Sequence, residues 1–362
     1  MSFSHHDVCC RTAKNTFYSQ IDQAIDWNSI NKEITKFYSP GKSATGQAAY
    51  PGLLLFKMLL VGYWAGSISD RALEEMANEN LSVMRFIGLR LEDQVPDHSV
   101  LSRFRTQLVE KNGFDAIFQL INNQLESHGI LVKAGVKVDA SITDSPRKPK
   151  GKTTYEIAED RKENQLSETE TEKQSTHINF KKIEQPGVDT DGRWIKKSGK
   201  IRFGYKKHTI TDDRGLFLGI ETTPANTHDS VPLEAMLTKI ELPGNCRLYG
   251  DKAYKSKKHD GLLKDKKIKN GVQFKASKGK RLTERELEFN RLVAQTRYTV
   301  ERSFGSMKRW FKGGTAKYVG LKNTWPTHYG GYSIQPQADT QPAQTSRNPY
   351  KTTANRGITM PN

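Results

Sequence analysis

The sequence predicts an α/β protein in which a helical N-terminal region precedes a mixed β-sheet with flanking helices. Two observations support this fold class. In the first 130 residues apolar side chains recur at helical spacing, for example at Phe114, Ile117 and Ile121. From about Val132 onwards, short runs with the alternation of β-strands take their place and are separated by turn and helix signals.

The N-terminal region, residues 1–130, is expected to form one helical domain. A compact apolar helix is predicted over 53–65, and Ser69 has the sequence context of a helix N-cap. A further helix over 99–109 carries Arg103, Arg105 and Gln107. Short helices with basic residues after a turn are compatible with a helix-turn-helix DNA reader and equally with an ordinary helical bundle, and the sequence leaves both open.

The second region, residues 131–324, has the order of elements of a ribonuclease H-like domain. Three strands come first, then helix, strand, helix, strand and a long helix that begins at a capping box at Thr283. The predicted strands, which give a mixed five-stranded sheet, cover 132–139, 203–211, 216–223, 246–250 and 272–275. Residues 144–200 contain 13 Lys and Arg, 11 Asp and Glu and very few aliphatic side chains, which predicts a flexible insertion.

The positive charge of the chain is concentrated near its end. The net charge is +17, and residues 252–322 contain 21 Lys and Arg against 6 Asp and Glu, a local charge of +15 (21 − 6). Such a concentration favours a nucleic-acid partner over a merely solvated face. A membrane surface is the competing partner, but the sequence shows neither an amphipathic basic helix nor an apolar span. With three cysteines and no secretory signal, a cytoplasmic protein is expected.

Three carboxylates stand where polar side chains are least expected. Asp139 and Asp251 each follow an apolar predicted strand, and Glu301 lies within the long helix. Each has an ordinary interpretation by itself, since an Asp after a strand often caps a helix and a helical Glu usually faces water. Together they are suited to hold two Mg²⁺ or Mn²⁺ ions about 4 Å apart for phosphoryl transfer.

Two cations share a face of the long helix with Glu301. Arg297, Glu301 and Lys308 are separated by four and seven residues, so they fall within about 40° of one another around the helix axis. A ladder of surface ion pairs is the alternative interpretation. The apolar neighbours Val300 and Phe304 favour a face on which a metal ligand lies between two phosphate-binding cations.

At these residues the sequence resembles the bacterial insertion-sequence transposases of the group named for insertion sequence five. The resemblance runs from about residue 15 to residue 324 and includes the Asp-Gly-Arg-Trp segment at 191–194. Five sequence blocks carry it, in the family's order: 138–141 (VDAS), 204–208 (GYKKH), 224–229 (PANTHD), 249–254 (YGDKAY) and 297–305 (RYTVERSFG).

The resemblance implies a DNA transposase of the DDE type. It implies a metal-binding triad at Asp139, Asp251 and Glu301, cleavage at terminal inverted repeats and joining of the ends to target DNA. The family's Arg-x3-Glu-x6-Lys signature falls on Arg297, Glu301 and Lys308, whereas Ala294 stands where the group of insertion sequence four has a tyrosine. A homodimer on double-stranded DNA is expected. The side chains that we expect to contact DNA are those of Arg297, Lys308, Arg302, Lys252 and His208.

The last 38 residues, 325–362, depart from the family pattern. They contain no Leu, Val, Phe or Glu and five of the 14 prolines, and they show no helical period where the family continues with an amphipathic helix. We favour a frameshift just after Thr324 over a natural disordered tail. Such a change would leave the candidate triad in place but could inactivate the enzyme. A DNA-binding remnant that does not cleave, and a ribonuclease H-like nuclease, are therefore the competing functions.

Overall fold

The structure, a computed structural model, describes residues 17–39, 49–151, 155–158, 179–182, 185–277 and 279–324. The predicted tail, 325–362, lies outside these ranges, as does 159–178 of the predicted insertion. None of the helices within them combines the length and apolar character needed to cross a bilayer.

The described residues of the N-terminal region form seven helices, and the apolar spacing predicts helical structure there. Ser69 caps the fourth by accepting a hydrogen bond from the backbone N–H of Ala72, which confirms the N-cap predicted there. The helices are α1 (Phe17–Ala24), α2 (Trp27–Phe37), α3 (Gly52–Trp64), α4 (Asp70–Glu79), α5 (Leu81–Ile87), α6 (His98–Glu110) and α7 (Gly113–Ser127).

One arginine of this region differs from the sequence-based expectation. Arg105 of α6 was expected to be displayed with Arg103, but its side chain is buried and forms a bidentate ion pair with Asp70. The reason is the packing of α6 against α4, which turns Arg105 inward while Arg103 stays exposed. Arg105 therefore serves the helical packing and is not available to DNA.

The second region contains a six-stranded mixed sheet together with a separate two-stranded hairpin. Its strands are β1 (Gly135–Asp144), β2 (Tyr155–Ala158), β3 (Asn179–Lys182), β4 (Arg193–Lys197), β5 (Lys200–Thr211), β6 (Phe217–Pro224), β7 (Arg247–Gly250) and β8 (Lys269–Val272). Its helices are α8 (Leu233–Lys239), α9 (Lys257–Asp265), α10 (Glu284–Trp310) and α11 (Leu321–Thr324). Strands β2 and β3 form the two-stranded hairpin.

The strand order is that of a ribonuclease H-like sheet. Strand β1 lies in the middle, antiparallel to β5 and parallel to β7, and β8 follows β7 in parallel. Strand β5 is long enough to pair with β4 through its first part and with β6 through its second. Because β7 pairs only with the first part of β1, the residues that follow β7 lie beside the middle of β1.

Three elements differ from the sequence-based expectation. The first strand continues to Asp144 instead of ending at Asp139, because it stays paired with β5 and its later polar side chains, such as Thr143, are buried. The sequence at 226–229 favours a cap and a helix that runs to about Ile240, whereas the helix starts at Leu233. The predicted flexible insertion contains an ordered strand, β4, which adds a sixth strand to the sheet by pairing with β5.

The two faces of the sheet have different packing. One face shares a continuous hydrophobic core with the N-terminal helices, α8 and α9, so the two regions do not form separate cores. The other face is covered by α10, with a smaller cluster formed by Phe118, Phe217, Ile220, Val300, Phe304, Met307 and Phe311. Each such side chain stabilises the packing by roughly 1.5–3 kcal/mol. The helix α10 is thereby fixed across the sheet.

Candidate active site

The first candidate carboxylate, Asp139, lies in the middle of the central strand. It pairs with Thr209 of β5 and is followed by five further strand residues. One of its side-chain oxygens accepts a hydrogen bond of 2.8 Å from the backbone N–H of Ala140. Its side chain points to the face that α10 covers, where Arg297 of that helix reaches it.

The second carboxylate, Asp251, is placed beside Asp139 by strand pairing. Lys137 of β1 is in register with Tyr249 of β7, and two residues further along each chain are Asp139 and Asp251. Neighbouring strands lie about 4.8 Å apart. The Asp251 side chain also caps a 3₁₀ turn, Lys252–Tyr254, by accepting a hydrogen bond from the N–H of Ala253. Two carboxylates thus lie next to each other where β7 ends beside the middle of β1.

The charge of Asp139 is balanced by a cation of the long helix. Arg297 Nη2 lies 3.1 Å from Asp139 Oδ2, and the two side chains are 13% and 20% exposed. Burial raises the pKa of Asp139, Arg297 lowers it, and the nearby Asp251 raises it again. The two carboxylates therefore repel each other in a poorly solvated place, which is the setting in which a bound cation is most stabilising.

The third carboxylate, Glu301, lies one turn after Arg297 on α10. Helical spacing puts it on the face that carries Arg297 and Lys308, and its side chain is exposed. Across the ranges that the structure describes, no three His, Cys, Asp or Glu side chains are close enough to hold a metal ion. Asp139 and Asp251 lie next to each other, whereas Glu301 lies on α10.

The donor chemistry of this place fits a divalent metal. Carboxylate oxygens are the ligands that Mg²⁺ and Mn²⁺ prefer. An octahedral site needs only two or three carboxylates, because water and substrate supply the remaining ligands. Asp139 and Asp251 supply two such groups. The residues present are therefore suited to the metal ions that the sequence predicts.

The sequence of this chain matches known protein families. Residues 7–107 match the family model described as Transposase domain (DUF772), and residues 149–324 match Transposase DDE domain. A transposase for insertion sequence element IS1106 from Neisseria meningitidis serogroup B is 34% identical over 221 residues, 60% of this chain and 70% of that protein. The chain belongs to the insertion-sequence DDE transposases. It is a DNA transposase, an enzyme that acts on DNA, and the group named for insertion sequence five is compatible with these matches.

The matched ranges also locate the candidate residues. The DDE match includes Asp251 and Glu301 but starts after Asp139, so the place of Asp139 in the transposase site rests on its strand pairing. Members of this family generally depend on divalent metals. A solved piggyBac transposase synaptic complex with hairpin DNA is 12% identical, with a TM-score of 0.38, covering 90% of this chain and 74% of that one. Similarity at this level does not show a shared fold.

The other cations predicted to contact DNA have different surroundings in the transposase. Lys308 of α10 lies near Asp139 and Asp144, and burial, Arg202 and Lys197 lower its pKa while the two carboxylates raise it. Lys252 is exposed directly after Asp251. Arg302 donates a hydrogen bond of 3.3 Å to the carbonyl of Arg214, in the turn between β5 and β6. Lys308 and Lys252 thus lie near Asp139 and Asp251, and Arg302 contacts the turn between β5 and β6.

His208 differs from its prediction as a DNA contact. Its side chain is fully buried in β5, and burial lowers its pKa to about 4. Its Nε2 lies 2.9 Å from the hydroxyl of Thr223 on the adjacent strand. With no exposed surface, His208 supports the sheet from inside and does not reach DNA.

Sequence reasoning missed a fourth carboxylate close to the pair. Asp229 forms an ion pair of 2.7 Å with the buried Lys206, which precedes His208 by two residues. The pKa of the buried Tyr254 is raised well above its ordinary value by burial, and further by Asp139, Asp229 and Asp251. Asp229 therefore lies within electrostatic reach of the same place. Two of the resembling blocks contain Lys206 and Asp229, and this is the signal in the sequence by which the pair could have been found.

Proposed function

We propose that this transposase holds two Mg²⁺ or Mn²⁺ ions with Asp139, Asp251 and Glu301, cleaves DNA at the terminal inverted repeats of its element and joins the ends to target DNA. The observation that carries the proposal is the placement of Asp139 beside Asp251 by the register of two parallel strands. Such ions would activate a water or a 3′-hydroxyl for in-line attack at phosphorus and stabilise the leaving oxygen.

The chain's own residues would position the DNA strand around these carboxylates. Arg297 forms an ion pair with Asp139, and Lys308 lies within electrostatic reach of Asp139. The face of α10 therefore presents one cation before Glu301 and one after it. Lys252 adds an exposed cation beside Asp251. Guanidinium and ammonium groups so placed would bind the phosphates on either side of the scissile one, because charge-assisted hydrogen bonds to phosphate are the strong ones.

Glu301 would complete the site by a change of side-chain conformation. It is exposed on the same helical face as Arg297, one turn further along. Rotation of a glutamate about its side-chain bonds needs no movement of the backbone. The fixed position of α10, with Val300 and Phe304 packed in the smaller cluster, would then set the distance from Glu301 to the strands.

DNA is the partner that the charge distribution supports, and a homodimer on the DNA is proposed because an element has two ends. The excess of 15 positive charges in residues 252–322 lies in the segment that begins beside Asp251 and contains Glu301. Binding by these cations would release counterions, so affinity should fall steeply with salt. Light scattering of the protein with a terminal-repeat duplex would report the stoichiometry.

Cleavage of a terminal-repeat duplex by the full chain tests the proposed chemistry. The repeat is read from the DNA that flanks the gene. We expect cleavage with Mg²⁺ or Mn²⁺, none with EDTA, and none by Asp251→Asn, which still binds the duplex. Asp265→Asn, an exposed aspartate at the end of α9, is the matched control and should cleave normally. Undiminished cleavage by Asp251→Asn would refute the assignment.

The second candidate function is that of a DNA-binding remnant that does not cleave. The observation that favours it is the change of composition after Thr324, the residue at which the DDE match also ends. Resequencing tests the frameshift interpretation, since a continuous helical reading frame in the shifted phase would support it and its absence would refute it. A full chain that binds the duplex but cleaves with neither metal would favour the remnant.

A further inference from the structure

The β4–β5 hairpin carries an exposed aromatic and aliphatic surface among cations. Its strands pair from Arg193 with Gly204 to Lys197 with Lys200, joined by a two-residue turn with left-handed backbone at both positions. Trp194 is 47% exposed and Ile201 is 68% exposed. Lone apolar residues on a surface are ordinary, but these two lie on one hairpin that also carries several lysines and arginines.

A cavity opens at the base of this hairpin. Its volume is about 300 Å³, at the lower end of the range of small-molecule sites. The apolar wall consists of Trp194, Ile201 and Phe203, and the Trp194 and Phe203 rings lie 5.1 Å apart between centroids. Lys148 and Arg202 also line it.

The carboxylate at this cavity does not make it acidic. Asp144 at the end of β1 lines the cavity, but Arg202 binds it with both Nε and Nη2, at 2.7 and 2.6 Å. Lys148 therefore adds positive charge to a wall whose own carboxylate is neutralised. The occupant that fits is flat and apolar on one side and carries negative charge on the other.

The hairpin turns towards the candidate active site. At its base, Gly204 has a φ of +149° and lies so close to β1 that an added Cβ would be 2.3 Å from the carbonyl oxygen of Thr143. Beyond this bend, Lys197 is near enough to Asp139 to lower its pKa and near enough to Lys308 to lower its pKa as well. One lysine of the hairpin therefore lies within electrostatic reach of the candidate active site.

We propose that this cavity binds an unpaired nucleotide of the DNA strand, with its base against Trp194 and its phosphate held by Lys148 and the hairpin lysines. A nucleotide combines the flat apolar face and the negative charge that the cavity suits, and stacking on an aromatic ring is the usual way in which proteins hold unpaired bases. The inference rests on the DNA substrate of the proposed function. It adds a site for bases that have left the duplex.

Binding of matched DNA probes by the full chain, without metal, tests the inference. The probes are a blunt duplex, the same duplex with a short single-stranded extension of either polarity, and the extended duplex with abasic extension residues. We expect Trp194→Ala to weaken binding of one extended duplex about tenfold, the factor for one lost base–aromatic stack. Binding of the blunt and abasic probes should not change. Trp194→Phe should retain most of the affinity.

Two comparisons keep the outcome interpretable. Trp310→Ala removes another exposed tryptophan, 59% exposed at the end of α10, and should bind every probe like the wild type. Photocrosslinking of wild-type protein to an extension containing 5-iodouracil should label the peptide with Trp194, whether or not the variants fold. The inference would be overturned if Trp194→Ala lost affinity equally for blunt and extended duplexes, or lost none for either. Labelling confined to other peptides would also overturn it. Since no cleavage is measured, failure here is distinct from failure of the metal chemistry.

Discussion

Arg297 of the long helix and Asp139 of the central strand form an ion pair, with Arg297 Nη2 3.1 Å from Asp139 Oδ2. The pair links the helix that carries Glu301 to the strand that carries the first carboxylate. Removing one partner of a largely buried pair leaves an uncompensated charge, which destabilises more than the pair itself stabilises. The interaction between Arg297 and Asp139 can therefore be measured by removing each side chain separately and both together.

We expect Arg297→Met to lower the free energy of unfolding at neutral pH by about 1–3 kcal/mol, because Asp139 is left buried without its cation. In an Asp139→Asn background the same substitution should have a much smaller effect. Urea unfolding of the four proteins of this double-mutant cycle measures the coupling. Additive effects would show that the two side chains do not interact in solution.

Much of the site could be predicted from the sequence, because strand ends and helical spacing are local properties. The strand end before Asp251 and the shared face of Arg297 and Lys308 follow from such patterns, whereas Asp139 lies within its strand and not at the predicted end. The continuation of β1 past Asp139 could not be predicted, since the buried residues Ser141 and Thr143 are polar and the hydroxyl of Thr143 donates to the carbonyl of Gly313, far along the chain.

The burial of His208 and the strand β4 depend on tertiary contacts in the same way. A histidine in a charged sequence suggests a surface position. His208 is buried because it packs beside the neighbouring strand, which supplies Thr223 as its partner. Strand β4 has the sequence RWIKK, with little alternation, and is held in the sheet by pairing with β5. The distance from Glu301 to the two strands is likewise a property of how α10 packs.

Stability should depend on pH through His208. Burial lowers its pKa to about 4 from 6.5, so between these values the unfolded chain binds a proton that the folded chain does not. Stability should therefore rise with pH across this window and be lost as pH falls, by roughly 3 kcal/mol in total. Urea unfolding at several pH values checks this. His208→Gln should flatten the dependence, whereas the same substitution at the exposed His228 should leave it unchanged.

Gly204→Ala should be strongly destabilising. An added Cβ would lie 2.3 Å from the carbonyl oxygen of Thr143 and 2.6 Å from the backbone nitrogen of Ser145, and these backbone atoms cannot move aside independently. We expect a loss of about 3 kcal/mol or more, measured by chemical unfolding. Gly244→Ala is the control, since nothing lies within 4 Å of its added Cβ, and it should stay within about 1 kcal/mol. Similar stability of the two variants would contradict the tight bend at Gly204.

The contact between the N-terminal helices and the end of the catalytic region depends on Arg105. Its guanidinium binds Asp70 through two hydrogen bonds and lies 4.5 Å from the ring centre of Tyr318. Arg105→Met leaves Asp70 without this partner, and we expect it to lower the unfolding free energy by about 3 kcal/mol. The same change at the exposed Arg103 of the same helix should have an effect within about 0.5 kcal/mol. Equal effects in thermal or urea unfolding would contradict the burial of Arg105.

The central claim is that Glu301 joins Asp139 and Asp251 at one metal site, and metal-dependent cleavage by Glu301 variants tests it most directly. We predict that Glu301→Gln loses cleavage of the terminal-repeat duplex by about 10³-fold or more while still binding it. Glu301→Cys should be inactive with Mg²⁺ and regain part of its activity with Mn²⁺ or Cd²⁺, because thiolate prefers softer ions. Glu288→Gln, an exposed glutamate of the same helix, should cleave like the wild type. Full activity of Glu301→Gln with Mg²⁺ would contradict the claim.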